Sequence, residues 1–386
     1  MGSYRRELVL DLPAQQSAFL WGPRKTGKST LLAERFPDSA RFDLLETRTF
    51  LELTREPWLL AERVLALDAG SRARPIVVDE VQKVPALLDE VHRLIERHGL
   101  AFVLCGSSAR KLKRGGANLL GGRGWRFALH PLAWPEVPEL DLLRALNRGL
   151  VPQHYDAAQH RRALAGYVDD YLKEEVFAEG LTRNASAFAR FFDALGFCHG
   201  QVLNFSNIAR DCGVDAKTVR EYFQILVDTL LGVFVEPFSR RRARAVIVRA
   251  PKFYLFDVGV AGYLRDRRLD RAAGPEFGQA LEHYVLMELL AFRSYRERDL
   301  PIRYWRTKSG LEADFVLGRE PELAIEVKGT GRVRPDDLKG IRAFTEEHRP
   351  RRAVVVSNDP APRLAGEVDV LPWRVFLERL WGDELI

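Results

Sequence analysis

Cysteine is scarce in this chain: Cys105, Cys198 and Cys212 are the only three in 386 residues. An odd number without metal-like spacing speaks against a disulfide framework and for a reducing compartment. Cys198-His199 with Cys212 would supply three zinc ligands at most, and a fourth is missing. No apolar run reaches the roughly 18 residues that a membrane-crossing helix needs. The start, Met1 to Gln16, is polar and charged and lacks an apolar core of signal type. Internal repeats and low-complexity tracts are also missing. These absences predict a cytoplasmic protein with no membrane partner.

What is present is ordinary in bulk and informative in detail. Hydrophobic residues make up 46% and charged residues 29%, which suits two or three globular domains at this length. The net charge of +6 is mild, but its distribution is uneven: Arg240-Arg241-Arg242-Ala243-Arg244 sets four arginines within five residues. Such a run is either a phosphate-contacting surface or a solvated turn.

The most specific stretch is Gly22-Pro23-Arg24-Lys25-Thr26-Gly27-Lys28-Ser29-Thr30. It fits G-x-x-x-x-G-K-[ST] and lies between an apolar strand-like run, Ala18 to Trp21, and a helix-like run from Ser29 to Arg35. In such a loop, backbone N–H groups close around phosphate oxygens and the helix N-terminus adds its dipole. Lys28 then reaches the β- and γ-phosphates of ATP, and the Ser29 hydroxyl sits on Mg²⁺. Pro75 to Val81 reads as a buried parallel strand ending in Asp79 and Glu80. Asp79 is placed to hold the Mg²⁺ shell, and Glu80 to orient or deprotonate the attacking water.

The rest of residues 1–138 alternates strands and helices, the pattern of a doubly wound parallel sheet. Ala101 to Cys105 is a further buried strand, closed by Gly106-Ser107-Ser108. Ser107 or Ser108 could sense the γ-phosphate; a simple helix cap is the competing reading. Lys111 to Arg126 is a basic, glycine-rich loop. Arg123 is its candidate arginine finger, in cis or on a neighbouring subunit, against a plain mobile basic loop. Phe127 to Leu132 reads as the last strand before a proline-rich boundary.

In residues 139–250, Ser206 to Arg220 carries a short helix, a glycine turn, an Asp215 cap and a second helix. This is a helix-turn-helix signature. Gly232 to Phe238 and Ala245 to Val248 read as a hairpin capped by the arginine run. The unit predicts a winged helix that binds DNA, with protein docking as the alternative use.

Residues 251–386 hold a third pattern. Strands at Ile302–Arg306, Glu312–Leu317 and Leu323–Lys328 set Asp314, Glu326 and Lys328 into D…E-x-K spacing. Glu326 and Lys328 are two apart on a strand and share a face. The carboxylates could hold Mg²⁺ or Mn²⁺, and Lys328 could position a water that attacks a phosphodiester. Glu282, on a helix over Phe277–Phe292, is a candidate further ligand. An exposed strand with alternating charge would show the same E-V-K. Asp257 and Glu288 are read as structural.

Taken together, Gly22 to Ser29, Val77 to Glu80, Gly106-Ser107-Ser108, Gly122-Arg123, Tyr254 to Gly259, Glu312-Ala313-Asp314 and Glu326-Val327-Lys328 resemble a known group. It comprises bacterial and archaeal AAA-type ATPases with a C-terminal domain similar to PD-(D/E)XK nucleases. The resemblance implies a homo-oligomeric ATPase core and a restriction-endonuclease-like α/β domain, without supplying a substrate. The expectation is therefore an ATP-hydrolysing protein that binds DNA and processes it with a metal-dependent nuclease. The alternative is an ATP-controlled DNA- or protein-binding regulator that does not cleave.

Overall fold

A computed structural model describes residues 4–108, 120–172, 185–239 and 248–386. Arg240 to Ile247 lie outside the described residues, as do Lys111 to Asn118 of the glycine-rich loop. The chain divides into two compact units, one of residues 5–131 with 228–231, the other of residues 1–4, 132–227 and 232–386.

The first unit is built on β1 (Ser17–Trp21), β2 (Arg41–Asp43), β3 (Ile76–Asp79), β4 (Phe102–Gly106) and β5 (Gly124–Ala128). All run parallel, in the order β2-β3-β4-β1-β5. Every residue of β1, β3 and β4 is buried, as continuous apolar runs in a sheet covered on both faces require. Helix α1 (Lys28–Arg35) follows the phosphate loop. The helices α2 (Thr47–Arg55) and α3 (Leu59–Leu65) are parted near Pro57, and α4 (Leu87–His98) packs Leu87, Leu88, Val91 and Leu94 inward. The strand order brings the ends of β1 and β3 to one edge, with β4 between them. Such an edge is where open α/β sheets bind ligands.

The second unit carries an eight-stranded mixed sheet in the order β12-β13-β11-β10-β9-β8-β6-β7. Its strands are β6 (Gly232–Pro237), β7 (Lys252–Leu255), β8 (Ile302–Arg306), β9 (Glu312–Leu317), β10 (Leu323–Lys328), β11 (Arg352–Ser357), β12 (Arg363–Ala365) and β13 (Val368–Pro372). Helix α5 (Ala185–Cys198) precedes the helix-turn-helix pair α6 (Phe205–Cys212) and α7 (Ala216–Asp228). Gly213 turns the chain at φ 68°, and Asp215 accepts from Thr218 N at 2.8 Å, the expected cap. Val219, Phe223 and Leu226 are buried, while Arg210, Lys217 and Arg220 remain exposed. Beyond lie α8 (Val258–Leu264), the long α9 (Pro275–Tyr295), α10 (Lys339–His348) and α11 (Trp373–Trp381).

The described antiparallel partner of β6 is Lys252–Leu255, in register Gly232↔Leu255. Of the expected partner Ala245–Val248 only Val248 is among the described residues; it lies outside the strands and its N–H bonds Arg306 O at 3.0 Å. One expectation changes: β6 also pairs in parallel with β8, so one sheet runs across the boundary expected at residue 250.

Candidate functional site

The loop from Gly22 to Gly27 has the backbone its sequence demands. Gly27 has φ 94° at the start of α1, a region that disfavours side chains. A Cβ on Gly22 would come within 2.5 Å of Leu129 O. Lys28 is buried, and its Nζ donates to Gly22 O at 2.8 Å and Pro23 O at 2.9 Å, spanning the loop's mouth. Thr26 Oγ1 closes the turn on Pro23 O at 2.9 Å. Arg24 and Lys25 point outward, and Thr30 is exposed on α1. Arg6 also braces the loop: its guanidinium donates to Thr26 O and, at 2.7 Å, to His130 O. It lies in the polar N-terminal stretch, where no motif marks it.

Ser29 Oγ donates to Asp79 Oδ2 at 2.6 Å, and Glu80 N donates to Asp79 Oδ1 at 3.0 Å. A hydroxyl and a carboxylate oxygen that converge in this way are the donor set that Mg²⁺ takes beside phosphates, so the ion fits. Glu80 adopts a left-handed backbone with φ 57°, uncommon for a side-chain-bearing residue, which turns the chain sharply at the strand end. Gln82 Nε2 donates to Glu80 and, at 3.1 Å, to Ser107 Oγ. Ser107 is thereby tied to Glu80 through a glutamine that sequence reasoning passed over.

Arg123 does not complete this centre within its own chain. It directly precedes Gly124, which is level with Ser17 at the far end of the parallel β1–β5 pair. Five residue steps, about 17 Å of extended strand, separate that level from the loop's start at Gly22. Its guanidinium pairs with Glu96 of α4, and its carbonyl accepts from Gln16 Nε2 at 2.9 Å. In this arrangement Arg123 lies away from the phosphate loop of its own chain.

The second centre lies on β9 and β10. Asp314 and Glu326 are both buried, and they turn to the same region: Asp314 Oδ2 accepts from Val327 N at 2.7 Å. Lys328 Nζ lies 2.6 Å from Glu326 Oε1, as its spacing predicts. Burial, with the neighbouring carboxylate charges, pushes Asp314 well above the usual acid range. Burial pushes Glu326 up to about 7 against the opposing pull of Lys328.

A cation already stands in this cluster. Lys252, from β7, is 3% exposed, and its Nζ lies 2.6 Å from Glu312 Oε1, 3.2 Å from Glu282 Oε1 and 4.0 Å from Asp314 Oδ1. Burial works to strip its proton, but the charges of Glu282, Tyr254, Asp314 and Glu312 outweigh it and hold Lys252 well above the ordinary lysine value. Glu282 also accepts from Tyr254 OH. The metal role predicted for Glu282, Asp314 and Glu326 is a misfit in this arrangement. Glu326 Oε2 is buried without a donor, yet among the described residues no group of three His, Cys, Asp or Glu is arranged to hold a metal ion. Lys252 carries no motif, and Glu312 stands in the Glu312-Ala313-Asp314 stretch without a role assigned to it; a lysine opening the apolar run Phe253-Tyr254-Leu255 was the available signal.

The residues read as structural sit accordingly. Asp257 caps α8 through Gly259 N and Val260 N and accepts from Leu150 N at 2.7 Å. Glu288 accepts from Trp134 N and from Trp381 Nε1, the latter at 2.8 Å. His199 Nδ1 accepts from Leu255 N, which turns it away from any zinc set with Cys198 and Cys212.

Residues 14–137, which include the phosphate loop and the five-stranded parallel sheet, match an AAA domain family. Residues 139–271 match a domain family of unknown function, DUF8612, and residues 277–376 another, DUF4143. An uncharacterized protein of Mycobacterium bovis and one of Mycobacterium tuberculosis are each 28% identical over 382 residues, 95% of this chain and 82% of theirs. A solved structure of the Aeropyrum pernix Orc1 protein in complex with DNA is 16% identical, covering 66% of this chain and 87% of its own, with a TM-score of 0.25. Among the described residues no helix is long and apolar enough to cross a membrane.

Proposed function

We propose that the chain is an ATP hydrolase that couples its nucleotide state to contacts with DNA, and that its C-terminal unit is nuclease-like in fold without cutting. The observation that carries the first part is the Ser29–Asp79 hydrogen bond with Glu80 next in the chain. Backbone N–H groups of Gly22 to Lys28 cradle the phosphates, and Lys28 exchanges its loop carbonyls for the β- and γ-phosphate oxygens. Ser29 and Asp79 would hold Mg²⁺, which when bound would supply charge neutralisation beside the phosphates. Glu80 takes a proton from the attacking water, and Gln82 holds that carboxylate in register with Ser107. Arg123, if it acts, does so on the nucleotide of a neighbouring copy in a homo-oligomer.

DNA contact is read from the helix-turn-helix. Arg210, Lys217 and Arg220 line the exposed side of α6 and α7, and the antiparallel pair β6–β7 follows them as the two strands of a wing would. The non-cutting reading, in place of a Mg²⁺- or Mn²⁺-dependent nuclease, is favoured by Lys252 among the carboxylates.

The test has two arms. ATP turnover is measured for the wild type and for Glu80→Gln; retained turnover in the variant refutes the role of Glu80. Binding to labelled duplex DNA is measured across salt for the wild type and for Arg210→Ala/Lys217→Ala. The double variant is expected to bind more weakly and to lower the slope of log K on log salt by about 2. An unchanged slope removes these side chains from the interface.

A further inference from the structure

We infer that the C-terminal centre carries its cation within the chain: the Lys252 ammonium stands where Glu282, Glu312 and Asp314 could otherwise hold a divalent metal. The inference rests on reading this unit as nuclease-like in fold and explains why that unit would not cut.

The charges around Lys252 support this. Glu282 comes from α9, Glu312 and Asp314 from β9 and Glu326 from β10, so three elements converge four carboxylates. Lys328 answers Glu326, at 2.6 Å. Arg306 reaches Glu312 at 3.4 Å from a more exposed position. Lys252 answers the rest, with Glu282, Glu312 and Asp314 all within 4.0 Å of one nitrogen. Three oxygen-bearing groups around one buried positive centre is the environment of a bound cation. An ammonium there repels a divalent ion and holds the oxygens that such an ion would need.

The placement of Lys252 in the backbone makes the substitution firm. Its strand is hydrogen-bonded to β6, with Val235 opposite Lys252. An isolated bridge from Val202 pairs with Lys252 on the other side. The side chain also lies 5.4 Å from the centre of the Tyr304 ring. The ammonium is thus delivered by a strand held along both edges, and it joins the helix-turn-helix side of the sheet to α9 and β9.

Mn²⁺ is the probe, titrated into nucleotide-free full-length protein carrying Asp79→Asn so that the phosphate-loop site is removed, with bound Mn²⁺ read by electron paramagnetic resonance. With Lys252 present, no stoichiometric binding is expected up to millimolar Mn²⁺. With Lys252→Met added, one Mn²⁺ per chain is expected to bind at least ten-fold more tightly, and Asp314→Asn on top is expected to abolish it. One Mn²⁺ bound with Lys252 in place, and lost in Asp314→Asn, overturns the inference. A folded Lys252→Met protein that gains no Mn²⁺ overturns it equally. Should Lys252→Met fail to fold, the titration with Lys252 present still decides. DNA cleavage by the wild-type chain with Mn²⁺, lost in Asp314→Ala, would also overturn it. None of these outcomes bears on ATP turnover, which Glu80→Gln tests separately.

Discussion

Two acidic pairs, Asp79–Glu80 and Asp314–Glu326, are each brought together by strands of an α/β sheet, and they are prepared for opposite ends. Around the first, the described partners are neutral: a serine hydroxyl, a backbone N–H and a glutamine amide. The nearby ammonium of Lys28 is held by carbonyls of the loop. The negative charge of Asp79 is therefore left for an incoming cation. Around the second, lysines have already answered the charge. At an effective dielectric constant of about 20, an ammonium repels a divalent ion 4 Å away by about 8 kcal/mol, more than an ordinary weak metal site gains. Two carboxylates on a strand do not by themselves make a metal centre; the charge of what faces them decides.

The largest expected effect bears on the first pair. Glu80→Gln should lower ATP turnover by about 10²–10⁴-fold while ATP binding persists, as read by steady-state hydrolysis beside nucleotide titration. Next comes the second pair. Lys252→Met leaves buried carboxylates without their counter-charge and should cost about 3–5 kcal/mol in denaturant unfolding. Asp314→Asn in the same chain should recover a large part of that loss; no recovery would mean that the lysine acts by packing instead of charge.

A third buried carboxylate sharpens the contrast, because Glu288 has only neutral donors and no cation opposite. Burial pushes it up to about 7, with the Trp134 and Trp381 bonds working the other way. The folded chain then holds a proton that the unfolded chain has released, so this group's contribution is full below about 4.5 and is lost as pH rises to about 7. The swing is up to about 3 kcal/mol. Unfolding measured from pH 5 to 8 should show this slope together with that of Glu326, and Glu288→Gln should remove its own share and leave the rest. Arg123→Ala should have the smallest effect on the isolated chain, at most about 1 kcal/mol from its exposed pair with Glu96, with nucleotide affinity unchanged. Loss of turnover in the assembled protein, restored on mixing with Asp79→Ala chains, would show that the first centre is completed by a neighbour.

The phosphate loop was legible because its chemistry is local. Gly22 and Gly27 meet backbone demands, and Lys28 and Ser29 follow at a fixed spacing. Asp314, Glu326 and Lys328 were legible because side chains two apart on a strand share a face, and adjacent strands complete the set. Arg6, Gln82 and Lys252 escaped notice, and Glu312 was noticed only as the start of its strand motif. Lys252 meets Glu312 across 60 residues of sequence, and only the order β9-β8-β6-β7 brings them into one cluster. The pairing of β6 with Lys252–Leu255 was missed for a related reason: a short apolar run does not name its partner.

The double engagement of β6, antiparallel to β7 and parallel to β8, limits how this polypeptide can be dissected. An expression clone starting at residue 251 would leave behind the strand that sits between the first two strands of its own sheet. β8 would be left with a bare hydrogen-bonding edge, an invitation to aggregation, and β7 would have nothing to hold it in register. Cutting upstream of α5 keeps the sheet whole. For the same reason the helix-turn-helix and the large sheet cannot be exchanged between relatives as independent cassettes.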